Sequence, residues 1–112
     1  MPRTAVLALT ALIASALSAQ LATRAHADAA PDPKQVAYGE HLSGECTTCH
    51  RVDGTDNGIP SIVGWPAEAF VAVLVSYRDG ERTNPAMVSV AKSLEEDQMA
   101  ALAAYFGSLA TK

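Results

Sequence analysis

Five consecutive residues, Cys46-Thr47-Thr48-Cys49-His50, constrain this chain more than any other stretch. Two thiols three positions apart can bond to the two vinyl groups of one porphyrin as thioethers, and an imidazole that follows at once lies beneath its metal. The spacing C-x-x-C-H therefore indicates covalent attachment of one c-type haem, with His50 as the proximal iron ligand. Cys46 and Cys49 are the only two cysteines in the chain, so no other thiol competes for either position.

Three other interpretations of the two cysteines remain open at this stage. They could form a disulfide of the thioredoxin type, but such pairs follow a strand in a βαβ unit, and no strand pattern precedes Cys46. They could form half of a structural zinc site, which needs four ligands. The only histidines that could complete it outside the predicted signal peptide, residues 1–27, are His41 and His50. They could also be unpaired surface thiols.

Residues 1–27 have the composition of a secretory signal peptide. Arg3 gives a short positive start, residues 5–19 form an apolar core rich in alanine and leucine, and Ala25-His26-Ala27 fits the A-x-A cleavage pattern. The apolar run is too short and too rich in small residues for a retained membrane span. The expected product is residues 28–112, a periplasmic domain after cleavage.

The predicted domain is small and acidic. Residues 28–112 are too few to bury a generous core, so we expect a covalently held haem to supply the missing apolar volume and the haem-free chain to fold poorly. Loss of Arg3 and Arg24 with the signal makes the net charge more negative than the −4 of the full chain. Nucleic acid is therefore excluded as a partner, and a basic or electrically mixed protein surface is favoured.

Apolar residues at helical spacing predict an all-α domain with three main helices and a short one. The main helices are predicted at 34 to 43 or 44, at 66 to 78 or 79, and from Glu95 onward, and the short one at 88 to 93. The core-facing stripes are Phe70, Val73, Leu74 and Tyr77 in the second helix, and Met99, Leu102, Ala103, Phe106, Leu109 and Ala110 in the last. A glycine inside the first helix, Gly39, marks close approach of another helix.

The second axial ligand of the iron is predicted to be Met87. A methionine thioether is soft and neutral and favours ferrous iron. Met99 lies on the apolar stripe of the last helix, where methionine usually fills the core. Met87 follows Asn84-Pro85-Ala86 in what the sequence predicts to be an irregular loop over the distal face. There are two alternatives: the second axial position of the iron is left open, or His41 occupies it.

Several segments together resemble the class I cytochromes c of bacteria over essentially the whole of residues 28–112. The segments are GECTTCH (44–50), GIP (58–60), YRDGER (77–82), Met87 and LAAYF (102–106). Within that class the chain looks most like the small single-haem subunit of flavocytochrome c sulfide dehydrogenase, through GIPSIVG (58–64) and the loop at 80–87. One departure is Arg51, which stands where this family commonly has glycine.

The resemblance implies a class I cytochrome c fold and a set of haem contacts. Cys46 and Cys49 would carry the thioethers, and His50 and Met87 would bind the iron. The Pro60 carbonyl would accept the hydrogen of the His50 ring and so orient it. Trp65 and Arg82 become candidates for contacts with the haem propionates, and Gly39 would meet the Tyr105-Phe106 face of the last helix.

Electron transfer through a six-coordinate haem is the function that these observations predict. The chain would accept electrons from a flavin-containing partner in sulfide or sulfur oxidation, as a haem subunit without catalytic activity of its own. One alternative is a free single-haem shuttle of a respiratory or photosynthetic chain. A further alternative is an open-site haem peroxidase or gas sensor, which would need five-coordinate iron and a distal polar residue.

Overall fold

The computed structural model describes residues 30–109, and within that range the chain is helical and contains no strand. The predicted signal peptide and the last position of the predicted C-terminal stripe, Ala110, lie outside the described residues. The helices are α1 (Pro33–Leu42), α2 (Gly44–Thr47), α3 (Ala67–Arg78), α4 (Pro85–Lys92) and α5 (Glu96–Ser108). The prediction of an all-α fold with three main helices is therefore confirmed.

Helix α1 packs mainly against α5, and Gly39 lies where they meet. A Cβ atom at this position would overlap the carbonyl oxygen of Ala101 and lie 2.7 Å from the Cβ of Tyr105. No residue other than glycine leaves room for that approach without moving a helix. The contact between Gly39 and Tyr105, which the family resemblance implied, is thus present.

The core is built around three side chains of α5 that are almost completely buried, Met99, Leu102 and Phe106. Helix α3 packs against α5 through Phe70, whose ring stacks on that of Phe106 with centroids 5.7 Å apart and planes 17° from parallel. Leu74 is buried one turn further along α3. Phe70 and Leu74 of the stripe predicted for α3 are therefore buried in the core with α5, and the rings of Phe70 and Phe106 fill the centre of the domain. Val73 and Tyr77, which were predicted to face the core as well, line a cavity instead.

The end of α3 is set by Gly80, which has a φ of +81°. The backbone N–H groups of Glu81 and Arg82 both donate to the carbonyl of Ser76, at 2.9 and 3.1 Å. This pattern satisfies the last carbonyls of a helix and reverses the chain, as glycine in the left-handed region allows. It brings the next segment back along α3 toward α4, which packs on it.

Two predictions about local structure were wrong. Residues 44–47 form the short helix α2, where no helix was predicted. Helix α4 begins at Pro85 and not at 88, so Met87 lies in a helix and not in an irregular loop. The reason is the pair Asn84-Pro85: the asparagine side chain caps the first turn, and proline suits the first helical position because it has no N–H to satisfy.

Candidate haem site

The C-x-x-C-H segment is a compact run of helical turns that continues from the end of α1. The N–H of Cys46 donates to the carbonyl of Ser43 at 2.9 Å, and the N–H of His50 donates to the carbonyl of Cys46 at 2.8 Å. The N–H of Cys49 donates to the same Cys46 carbonyl at 3.2 Å, so these bonds fix the spacing between the two cysteines and the histidine. The cysteines are not joined in a disulfide. Within residues 30–109 no group of three or more His, Cys, Asp or Glu side chains is arranged to hold a metal ion.

The imidazole of His50 is oriented by a backbone carbonyl ten residues further along. Its Nδ1 lies 2.7 Å from the carbonyl oxygen of Pro60. Because a carbonyl oxygen can only accept, Nδ1 carries the hydrogen, and the lone pair of Nε2 is free to bind a metal. Such a bond holds the ring in one orientation and makes Nε2 a stronger ligand.

The loop that carries Pro60 is held by short polar contacts. Asp53 accepts hydrogen bonds from Arg51, at 2.8 Å from Nη2, and from Thr55, at 2.8 Å from its hydroxyl and 3.0 Å from its N–H. The bonds from Arg51 and then those from Thr55 hold the pKa of the Asp53 carboxyl far below its ordinary value of 3.8. Arg51, the departure from the family pattern, is therefore paired with a carboxylate of its own loop.

A cavity of about 340 Å³ lies between this segment and helices α3, α4 and α5. That volume falls in the range of small-molecule and cofactor sites, and its walls are mainly apolar. Seven residues were assigned to the haem from the sequence, and all seven line this cavity. They are spread over more than 40 positions of the sequence. They are Cys46, Cys49, His50, Pro60, Trp65, Arg82 and Met87. The apolar walls include Ile62, Val73, Leu74, Val90, Leu94 and Leu102.

The three candidates for a second axial ligand occupy different environments. Met87, in the first turn of α4, lines the cavity. Met99 is 0% exposed in the core and is not among the residues that line the cavity. His41 is exposed near the end of α1 and does not line the cavity either. Of these three, only Met87 shares the cavity with His50.

Trp65 and Arg82 lie at the cavity for different structural reasons. The N–H of Gly64 donates to the carbonyl of Phe106 at 2.9 Å, which ties the Trp65 segment to α5. The indole of Trp65 meets the ring of Phe70 edge to face, with centroids 6.5 Å apart. The guanidinium of Arg82 lies 5.8 Å from the centre of the Tyr77 ring, a cation–π contact that keeps its charge beside the cavity.

Comparison with known proteins gives relatives that agree on one family. No protein-family model matches the chain. The cytochrome subunit of sulfide dehydrogenase from Chlorobaculum tepidum is 36% identical over 71% of this chain and 74% of that relative. Cytochrome c-554(548) from Halomonas halodenitrificans is 34% identical over 64% of this chain and 93% of its own length. This chain belongs to the class I cytochromes c.

Two longer proteins match parts of this cytochrome as well. A thiosulfate dehydrogenase electron acceptor from Thiomonas intermedia is 32% identical over 69% of this chain, but the match spans 37% of that relative. The crystal structure of reduced cytochrome c4 from Pseudomonas stutzeri superposes with a TM-score of 0.65 at 30% identity, covering 70% of this chain and 50% of the other. The class I cytochrome c fold expected from the sequence is therefore confirmed.

The residues at the cavity of this cytochrome fit a covalent c-type haem. Two unpaired thiols, an imidazole with a free Nε2 and a thioether are the donor set that such a group requires, and they share one largely apolar cavity. Burial, and after it the Glu45 carboxylate, raises the pKa of the Cys46 thiol to about 11. In the folded conformation this thiol is therefore protonated at neutral pH.

Among the residues that line the cavity, Tyr77 and Asn84 were not assigned to the haem site from the sequence. Tyr77 was assigned to the core, but it lines the cavity beneath Arg82. Asn84 was assigned to a loop, but it caps α4 and also lines the cavity. The dipeptide Asn84-Pro85 is itself a helix-start signal and could have revealed the cap. Nothing in the sequence alone shows that Tyr77 faces a cavity.

Proposed function

We propose that this cytochrome is an exported electron carrier with a single six-coordinate haem, attached through Cys46 and Cys49. The proposed axial ligands are His50 and Met87. The observation that supports this most directly is the shared cavity, which is lined by both thiols, by the oriented imidazole and by the Met87 side chain. When bound, the haem supplies an iron that exchanges one electron between its ferric and ferrous states.

The protein's own groups are suited to hold that iron with little rearrangement. The Pro60 carbonyl fixes the tautomer and orientation of His50, and it would hold the ring in that orientation when an iron is bound. The Met87 thioether is neutral and soft, which favours the ferrous state and raises the reduction potential. The walls of the cavity are mainly apolar, and Arg82 and Trp65 are proposed to contact the propionates.

Ligation can be tested by absorption spectroscopy on the ferric holoprotein. A weak band near the red end of the visible spectrum reports an iron–thioether bond. Met87→Ala should abolish this band, whereas Met99→Ala should keep it and lower stability by about 2–5 kcal/mol because that side chain is buried in the core. If Met99→Ala removed the band and Met87→Ala did not, the assignment of the distal ligand would be wrong.

Haem content and coordination can be tested on the same preparation. Mass spectrometry of the native protein should give the processed chain, beginning at residue 28, with one added haem. Reduced protein with both axial positions filled should bind carbon monoxide weakly at neutral pH. Tight binding would instead support the open-site peroxidase or sensor.

The proposed redox partner is a flavin-containing dehydrogenase subunit that acts on sulfide or another reduced sulfur compound. Support comes from the relatives named as a sulfide dehydrogenase subunit and as a thiosulfate dehydrogenase electron acceptor. The acidic balance of the chain favours a basic or mixed docking surface on that partner. Within residues 30–109 no helix is long and apolar enough to cross a membrane.

A second candidate is a free single-haem shuttle. The observation that favours it is the match to cytochrome c-554(548), which extends over nearly the whole of that relative. Affinity purification of the tagged holoprotein from the native periplasm, followed by a flavin spectrum of the bound fraction, separates the two. A stoichiometric flavoprotein supports the subunit, and a protein that elutes alone supports the shuttle.

A further inference from the structure

Every backbone N–H in the first turn of α4 is accounted for by one residue, Asn84. Pro85, at the first position, has no N–H. The side-chain oxygen of Asn84 accepts from the N–H of Ala86 at 3.1 Å and from that of Met87 at 3.2 Å. Its backbone carbonyl accepts from the N–H of Val88 at 2.9 Å. The Asn84 side chain therefore satisfies both N–H groups of this turn that its backbone carbonyl does not.

The turn in question is the one that carries Met87. The preceding segment is anchored, because the N–H groups of Glu81 and Arg82 are bonded to Ser76 at the end of α3. The other end of α4 is anchored by Ala91, which is fully buried in the core. Between these two points the backbone of Met87 is held by its own N–H bond to Asn84.

We propose that Asn84 is a positioning residue for Met87, which sets how often the thioether leaves the iron. This inference rests on the proposed role of Met87 as distal ligand. Without the cap, the first turn of α4 can fray, and a frayed turn no longer directs the sulfur into the cavity. An N-cap asparagine contributes to the stability of its own helix turn, and here that turn includes a side chain that lines the cavity.

Imidazole added to the ferric holoprotein measures this equilibrium, because it binds the iron only when the thioether is off. Its apparent affinity is proportional to the population of the open state. Asn84→Ala should tighten imidazole binding about fivefold, the factor that corresponds to a typical N-cap loss of about 1 kcal/mol. The red band of the ferric spectrum should weaken in the same variant.

The chain supplies a matched control in α1, which begins with the same arrangement of cap and proline. The Asp32 side chain accepts from the N–H of Lys34 at 3.0 Å, with Pro33 at the first helical position. Asp32→Ala should lower overall stability to a similar extent and leave imidazole affinity unchanged. Equal tightening in both variants would show a general loss of stability and overturn the proposal.

Substitution of Asn84 by serine and by glycine as well keeps the test valid if the alanine variant does not fold. Serine caps helices about as well as asparagine, and glycine is weaker by only a few tenths of a kcal/mol. Imidazole affinity should therefore rise in the order asparagine or serine, glycine, alanine. A flat series, with Met87→Ala still abolishing the red band, would refute the role of Asn84 and leave the ligation intact. A red band that survives Met87→Ala would refute the ligation itself.

Discussion

Replacing Gly39 by alanine should destabilise the domain, because the added methyl group has nowhere to go. Its Cβ would overlap the carbonyl oxygen of Ala101 and lie 2.7 Å from the Cβ of Tyr105. Both atoms are fixed to the backbone of α5, so the clash is relieved only if one helix moves. Overpacking of this kind lowers the free energy of unfolding by about 3 kcal/mol at the upper end of its usual range. The higher helix propensity of alanine offsets about 0.5–1 kcal/mol of that loss. The expected net loss is about 2 kcal/mol.

The measurement is urea unfolding of the ferric holoprotein, followed by circular dichroism, with the covalent haem present in both the folded and the unfolded state. Gly44→Ala is the matched control, because a Cβ at Gly44 meets no atom within 4 Å. It should be neutral or stabilising. Gly107→Ala should fall between the two, since its Cβ would lie 3.1 Å from the carbonyl oxygen of Trp65. A Gly39→Ala variant within about 0.5 kcal/mol of the parent would contradict the argument from close packing.

Two further predictions concern the haem-attachment segment and the loop that follows it. Hydrogen bonds from Arg51 and Thr55 lower the pKa of the Asp53 carboxyl in the folded chain. The carboxylate therefore stabilises the fold at pH values above 3.8, its ordinary pKa, and this contribution is lost progressively as the pH falls below 3.8. Acid titration of Asp53→Asn should therefore show less loss of stability below about pH 4 than the parent shows. The double variant Cys46→Ala, Cys49→Ala should lack attached haem, and the apolar walls of the cavity should then be exposed to water, which destabilises the domain. Poor dispersion in its NMR spectrum is expected, and a well-dispersed spectrum would show that the core is stable without haem.

The three long helices could be predicted from sequence because their signals are local and repeated. In α3 the apolar residues recur at helical spacing from Phe70 to Tyr77, and Gly80 ends the helix one turn later. In α5, acidic residues precede a stripe that includes Met99 and Phe106. Each signal needs only neighbouring residues, so the predicted ranges differ from the observed ones by a residue or two.

The parts that were missed depend on contacts the sequence does not express as periodicity. Helix α2 is only four residues long, and its hydrogen bonds continue from the end of α1 through Ser43. Helix α4 begins three residues early because one side chain, Asn84, satisfies its first turn. The cavity itself is assembled from residues that are distant in sequence, so its apolar wall at Val73 and Leu74 resembles an ordinary core stripe until the tertiary structure is known.

The packing of α1 on α5 has a consequence for the order of events during biosynthesis. A ribosome delivers the chain from its N-terminus, so α1 and the attached C-x-x-C-H segment emerge before the surface against which α1 packs. The contact of Gly39 with Ala101 and Tyr105 can form only after α5, near the other end of the chain, has been made. Until α5 has been made, the two thiols follow a helix that lacks its main packing partner, so the folded domain does not yet enclose them.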